Sequence, residues 1–158
     1  SPETTAGLVF EALRRSGQRG VVYEGWGGLR KADVPDSVLM VGSTPHSWLF
    51  PRMAAVVHHG GAGTTAAGLS AGVPSIITPF FGDQPFWGRR VAELGVGPRP
   101  IPRRRLTAER LAETIERAVH DPAVRERAAA LGEQLRAEDG VGRAAAILAA
   151  WAGGRPHL

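Results

Sequence analysis

The chain has 158 residues, 43% of them hydrophobic, and 19 lysine plus arginine against 15 aspartate plus glutamate give a formal net charge of +4. That size suits one domain with a sizeable core, and the absence of an apolar run near ~18 residues or of a charged-then-apolar leader points to a soluble cytoplasmic domain without membrane span or signal peptide. Zero cysteines exclude a disulfide framework and thiolate metal sites.

Ser1-Pro2-Glu3 opens a predicted helix, with serine at the cap, proline in the first turn, and Val9 and Leu13 on one face. Gly20 to Gly25 and Ser37 to Gly42 are short apolar runs ending in glycine, read as parallel strands buried on both faces. Pro45 to Arg52 reads as a short helix, Ala54 to His58 as a strand, and Thr64 to Ala71 as a helix of small residues. Strands and helices then alternate at Ser75 to Thr78, Gln84 to Leu94 and Val96 to Ile101, which is the βαβ pattern of a parallel sheet. From about residue 106 onward the pattern is helical only. Thr107 caps one helix and Asp121-Pro122 starts another, and a last one after Gly140 carries Val141, Leu148 and Trp151, all expected to pack amphipathic faces on the core.

Between the strand ending at His58 and the helix from Thr64 lies His58-His59-Gly60-Gly61-Ala62-Gly63-Thr64-Thr65. Glycines remove the Cβ atoms that would block approach to backbone N–H groups, and a helix N-terminus adds about half a positive charge, so this turn is suited to a phosphate. The next strand ends in Phe81-Gly82-Asp83-Gln84-Pro85, at the edge where open α/β sheets bind ligands. Asp83 and Gln84 offer carboxylate acceptors and an amide donor for vicinal hydroxyls, and phosphate beside polyol points to a nucleotide sugar.

These residues, with Ala71-Gly72-Val73-Pro74, Phe80 to Trp87 and the upstream Val41 to Phe50, resemble the donor-binding signature of the UDP-glycosyltransferase superfamily with the GT-B fold, closest to the sterol glucosyltransferase branch and its bacterial relatives. The resemblance covers roughly residues 1 to 120. It implies a single nucleotide-sugar-binding domain over 1–158, a Rossmann-like parallel sheet with helices on both faces, and an acceptor-binding N-terminal domain that is absent from this chain and carries the catalytic base. It further implies that the last helix crosses back to brace that domain. The partner is then a nucleotide-diphosphate sugar, UDP-glucose or similar, with no cofactor, and the reaction is metal-independent inverting transfer to an acceptor hydroxyl of a lipid, sterol or natural product. No Asp-x-Asp of the kind used by the other main glycosyltransferase fold occurs.

By that resemblance His59, Gly61, Ala62, Gly63, Thr64 and Thr65 bind the diphosphate, Asp83 and Gln84 the transferred sugar, and Ser43, Thr44 and His46 the nucleoside. Many relatives place a stacking tryptophan where this chain has Ser43, so Trp26 is a substitute aromatic surface, and UDP is less distinguishable from TDP than the diphosphate itself. Plainer roles compete: His58 capping the turn, His46 capping the short helix, Asp83 as helix N-cap, Trp87 as core or lining. Two other functions stay open. Gly61-Ala62-Gly63-Thr64-Thr65-Ala66, with Asp83 about 20 residues on, also satisfies the dinucleotide fingerprint of an NAD site, and a non-catalytic nucleotide-sugar sensor would share the same residues.

Lys31 is the sole lysine, and the basic residues cluster at Arg99 to Arg105. A solvated, proline-stiffened linker is the favoured reading of that patch. No interleaved aromatics support nucleic acid as a partner, while peripheral membrane or lipid-acceptor contact stays open. Finally, a parallel domain that starts on a helix is expected to be a fragment whose central strand lies before Ser1. The slot between Val21 to Glu24 and Ala54 to His58 would then be closed by slippage, by a strand from another chain, or by oligomerisation.

Overall fold

A computed structural model describes residues 2–23 and 34–153, and Trp26 and Glu24 lie outside the described residues. Helix α1 spans Pro2–Arg15, strand β1 Gly20–Tyr23, β2 Val38–Val41, α2 His46–Leu49 followed by a 3-10 turn at Phe50–Arg52, β3 Val56–His58, α3 Ala62–Ala71 and β4 Ser75–Ile77. The rest is helical: α4 Gln84–Glu93, a 3-10 turn at Arg103–Arg105, α5 Ala108–His120, α6 Pro122–Ala137 and α7 Gly140–Gly153.

All strand pairing is parallel, in two pairs: β1 with β2, Gly20 opposite Val38 through Tyr23 opposite Val41, and β3 with β4, Val56 opposite Ser75 through His58 opposite Ile77. Among the described residues β1 does not pair with β3. A cavity of about 690 Å³ separates them, lined by Gly20 to Tyr23 on one side and Val56 to His58 on the other. The direct pairing that would have ruled out a slot at this position is therefore not present.

Because successive strand side chains point to opposite faces, Ile76 and Ile77 feed two different cores. Ile76 packs with Leu13 of α1 and Leu111, Ile115 and Ala118 of α5, while Ile77 packs with Val91 of α4, Val96 and Ala128 of α6. Helices thus cover both faces. The strand expected at Val96 to Ile101 runs beside β4 and makes two bonds with it, Ser75 N–H to Val96 O at 3.2 Å and Ile101 N–H to Ile77 O at 2.9 Å. It is not a regular strand, because Pro98 and Pro100 have no N–H to give to a ladder.

The caps behave as their chemistry dictates. Thr107 accepts from Arg110 N–H at 3.2 Å, and Asp121 from Ala123 and Val124 N–H at 3.0 and 3.4 Å. Helix α7 departs from expectation: Val141, Leu148 and Trp151 are 85%, 65% and 64% exposed and do not pack on the core. With Ile147, 69% exposed, they fall on one side of the helix and remain exposed.

Candidate functional site

The turn after β3 is built on two glycines, and the first of them is required by the backbone. Gly60 sits at φ +91°, a left-handed conformation, and a Cβ there would stand 2.6 Å from Ile77 Cγ2. A Cβ on Gly61 would stand 2.5 Å from His59 Nε2, so the imidazole lies folded over that residue. Gly61 is also the N-cap of α3 and offers no capping side chain. The first N–H groups of the helix, those of Ala62, Gly63 and Thr64, therefore have no intrahelical acceptor and face outward with the positive end of the helix dipole.

Thr65 corrects the expected diphosphate set. Its N–H donates to Gly61 O at 2.9 Å and its side chain is fully buried, so it belongs to the helix interior and not to the cradle. The two histidines also divide the work. His59 is exposed beside the turn. His58 points inward, and its Nδ1 accepts the Gly60 N–H at 3.1 Å, which puts the ring proton on Nε2. Burial pushes the His58 imidazole down to about 4, with the neighbouring His59 and His46 adding to the effect. His58 Nε2, Thr65 Oγ1 and Ser75 Oγ are buried polar atoms without a hydrogen-bond partner in this structure. Nothing in the sequence signals this cluster beneath the turn, since Ser75 reads as an ordinary strand residue and Thr65 as a phosphate ligand.

The expected nucleoside residues meet the expected phosphate residues in one place. Ser43, Thr44 and His46 line the same 690 Å³ cavity as His58, His59 and Thr64. Thr44 Oγ1 donates to Gly42 O at 3.1 Å, and the His46 ring stacks on Phe50 at 4.4 Å between centroids, inclined by 14°. Trp26 lies outside the described residues, so the aromatic substitute for a base-stacking ring is not located.

Asp83 and Gln84 begin α4 but serve the loop in an unexpected way. Asp83 holds the N-cap position with no side-chain cap bond, and its Oδ2 accepts from Trp87 Nε1–H at 2.8 Å, leaving the exposed carboxylate with a second oxygen open. Gln84 is buried, and its Oε1 accepts the N–H groups of Phe80 and Phe81 at 2.7 and 3.2 Å. Only its amide N–H donors remain available to a ligand. Neither residue lines the large cavity, yet Gln84 lies beside the histidine turn, its Cβ 3.5 Å from where a Cβ on Gly60 would stand.

The Erythromycin biosynthesis protein CIII-like C-terminal domain model matches residues 27–148. A sterol 3-beta-glucosyltransferase of Arabidopsis thaliana is 50% identical over 145 residues, covering 90% of this chain and 23% of that protein. Among solved structures, the calicheamicin glycosyltransferase CalG4 superposes with a TM-score of 0.78 at 27% identity over 97% of this chain and 40% of its own. The glycosyltransferase VinC in complex with DTDP superposes with a TM-score of 0.59 at 32% identity over 66% of this chain and 26% of its own. The chain thus spans about a quarter of the curated relative's length. It belongs to the Erythromycin biosynthesis protein CIII-like C-terminal domain family, and with it to the C-terminal half of the GT-B UDP-glycosyltransferases.

Proposed function

We propose that this domain binds a nucleoside-diphosphate sugar, UDP-glucose or similar, and activates it for metal-independent inverting transfer to an acceptor hydroxyl of a lipid, sterol or natural product. The observation that carries the reading is the meeting, around one cavity, of His59 and Thr64 with Ser43, Thr44 and His46, beside the unpaired N–H groups at the start of α3. A nucleoside diphosphate needs that combination: a neutral polar wall for the base and ribose, and fixed donors for the phosphates.

In the proposed reaction the acceptor oxygen attacks the anomeric carbon opposite the departing diphosphate, whose β-phosphate oxygen takes the bonding electron pair. The Ala62, Gly63 and Thr64 N–H groups, the Thr64 hydroxyl and His59 stabilise the charge that develops there, as preorganised donors do in a site partly closed to water. The acceptor proton goes to a base outside this chain. Asp83 and the Gln84 amide hold sugar hydroxyls from the far side.

Support comes also from the bound DTDP of VinC and from the sugar-transfer names of the relatives. Calorimetry tests the reading: UDP should bind with or without a chelator, and a UDP-sugar should bind more tightly. Binding that vanishes on chelation, or NADH binding tighter than UDP, would overturn it.

A further inference from the structure

A second cleft, of about 310 Å³, lies on the other side of β4 between the proline-rich segment and α5, and four arginines line it: Arg99, Arg105, Arg110 and Arg117, with Thr114 among them. No acidic residue lines it. Among the described ion pairs none involves these four side chains, and Glu109 of the same helix pairs with Arg15 at 2.9 Å. Four like charges around one cleft repel each other, and ordinary surfaces relieve this by interleaving carboxylates. Here the net charge of the entire chain, +4, equals the charge of this one cleft.

The frame holding these arginines is rigid although their heads are exposed. Arg110, Thr114 and Arg117 fall at i, i+4 and i+7 on one face of α5, and the adjoining face is fixed by the buried Leu111, Ile115 and Ala118. Arg99 and Arg105 project from a backbone stiffened by Pro98, Pro100 and Pro102 and pinned where Ile101, itself buried, donates its N–H to Ile77 O. Preorganised backbone lowers the ordering cost of binding. Guanidinium forks suit tetrahedral oxyanions, each able to give two parallel hydrogen bonds, and two elements present them from two directions.

We propose that this cleft is an anion site for a multiply charged phosphate group, either a phosphomonoester lipid headgroup or a free polyphosphate, separate from the nucleotide-sugar site. The test uses pyrophosphate as the soluble probe and two double variants that lose the same net charge. Arg110→Gln with Arg117→Gln removes the two cleft arginines of α5, while Arg14→Gln with Arg143→Gln removes arginines that pair with Glu11 and Glu138 elsewhere.

The cleft variant should lose about tenfold or more in pyrophosphate affinity, and the control should change by about twofold or less. Phosphatidylcholine vesicles doped with phosphatidic acid form the second arm. Vesicle binding lost only in the cleft variant assigns the headgroup source, and pyrophosphate binding without vesicle binding assigns a soluble one. Equal losses in both variants, or no measurable pyrophosphate affinity beyond that abolished by His59→Ala, would overturn the site. Because both double variants leave the α3 turn intact, failure of UDP binding would sink the nucleotide-sugar reading and leave this comparison unaffected.

Discussion

The Nδ1 atom of His58 accepts the N–H of Gly60 at 3.1 Å, so a half-buried imidazole holds the one residue of the turn before α3 that adopts a left-handed conformation. The bond requires His58 to be neutral, since the imidazolium has no lone pair to offer. The turn that presents α3 to a ligand is therefore tied to a proton equilibrium two residues earlier.

That tie predicts a pH dependence with a definite sign. Burial lowers the folded-state value of His58 from 6.5 to about 4, so the unfolded chain binds more protons between those values, and stability rises with pH across that window. The contribution is fully present above about 6.5, is lost as the pH falls toward 4, and is about 3 kcal/mol at most. His58→Asn, whose amide oxygen can still accept from Gly60, should flatten this part of the curve. Urea unfolding between pH 4 and 7 reads it, and an unchanged slope in the variant would show that another group titrates there. The Arg14 and Arg15 guanidiniums hold Glu11 down to about 2, so its own contribution is lost from 4.5 downward, mostly below this window.

Substitution of the outer histidine should act on ligand and not on fold. His59→Ala should weaken UDP binding by roughly 1.5 to 3 kcal/mol, the range for a hydrogen bond to a charged group, with His58→Asn costing much less. Calorimetric titration of both variants decides it. A larger loss at His58→Asn would mean that the wrong imidazole has been assigned to the phosphate.

Asp83 and Gln84 should separate in a way their adjacency does not suggest. Gln84→Ala leaves the Phe80 and Phe81 N–H groups without their acceptor and should destabilise the fold by about 1 to 3 kcal/mol. Asp83→Ala removes an exposed carboxylate and should leave stability nearly unchanged while erasing the added affinity of a UDP-sugar over UDP. Thermal unfolding together with paired UDP and UDP-glucose titrations checks both. Equal weakening of UDP and UDP-glucose by Asp83→Ala would end its sugar role.

Local chemistry made much of this legible in advance. The parallel strands, the glycine turn and the Thr107 and Asp121 caps follow from patterns only a few residues long, and the structure has each of them. What sequence did not reveal depends on partners far along the chain. Gln84 reads as a free polar side chain until the loop folds Phe80 and Phe81 over its oxygen, and Thr65 reads as a phosphate ligand until the helix register turns it inward. Helical spacing predicted a core face for α7, but spacing says nothing of whether a surface exists to receive it, and Val141 and Leu148 remain exposed. The arginine cleft was hidden for a related reason: Arg99 and Arg105 read as one linker patch, and only the packing of α5 adds Arg110 and Arg117 to it.

Backbone amide shifts in the chain during titration with UDP test the central claim most directly. The account predicts that the Ala62, Gly63 and Thr64 resonances move together, with a chelator present, and that the Thr65 amide, bonded to Gly61 O, moves less. A titration in which those three amides stay still while others shift, or in which shifts appear only when a divalent metal is added, would contradict it.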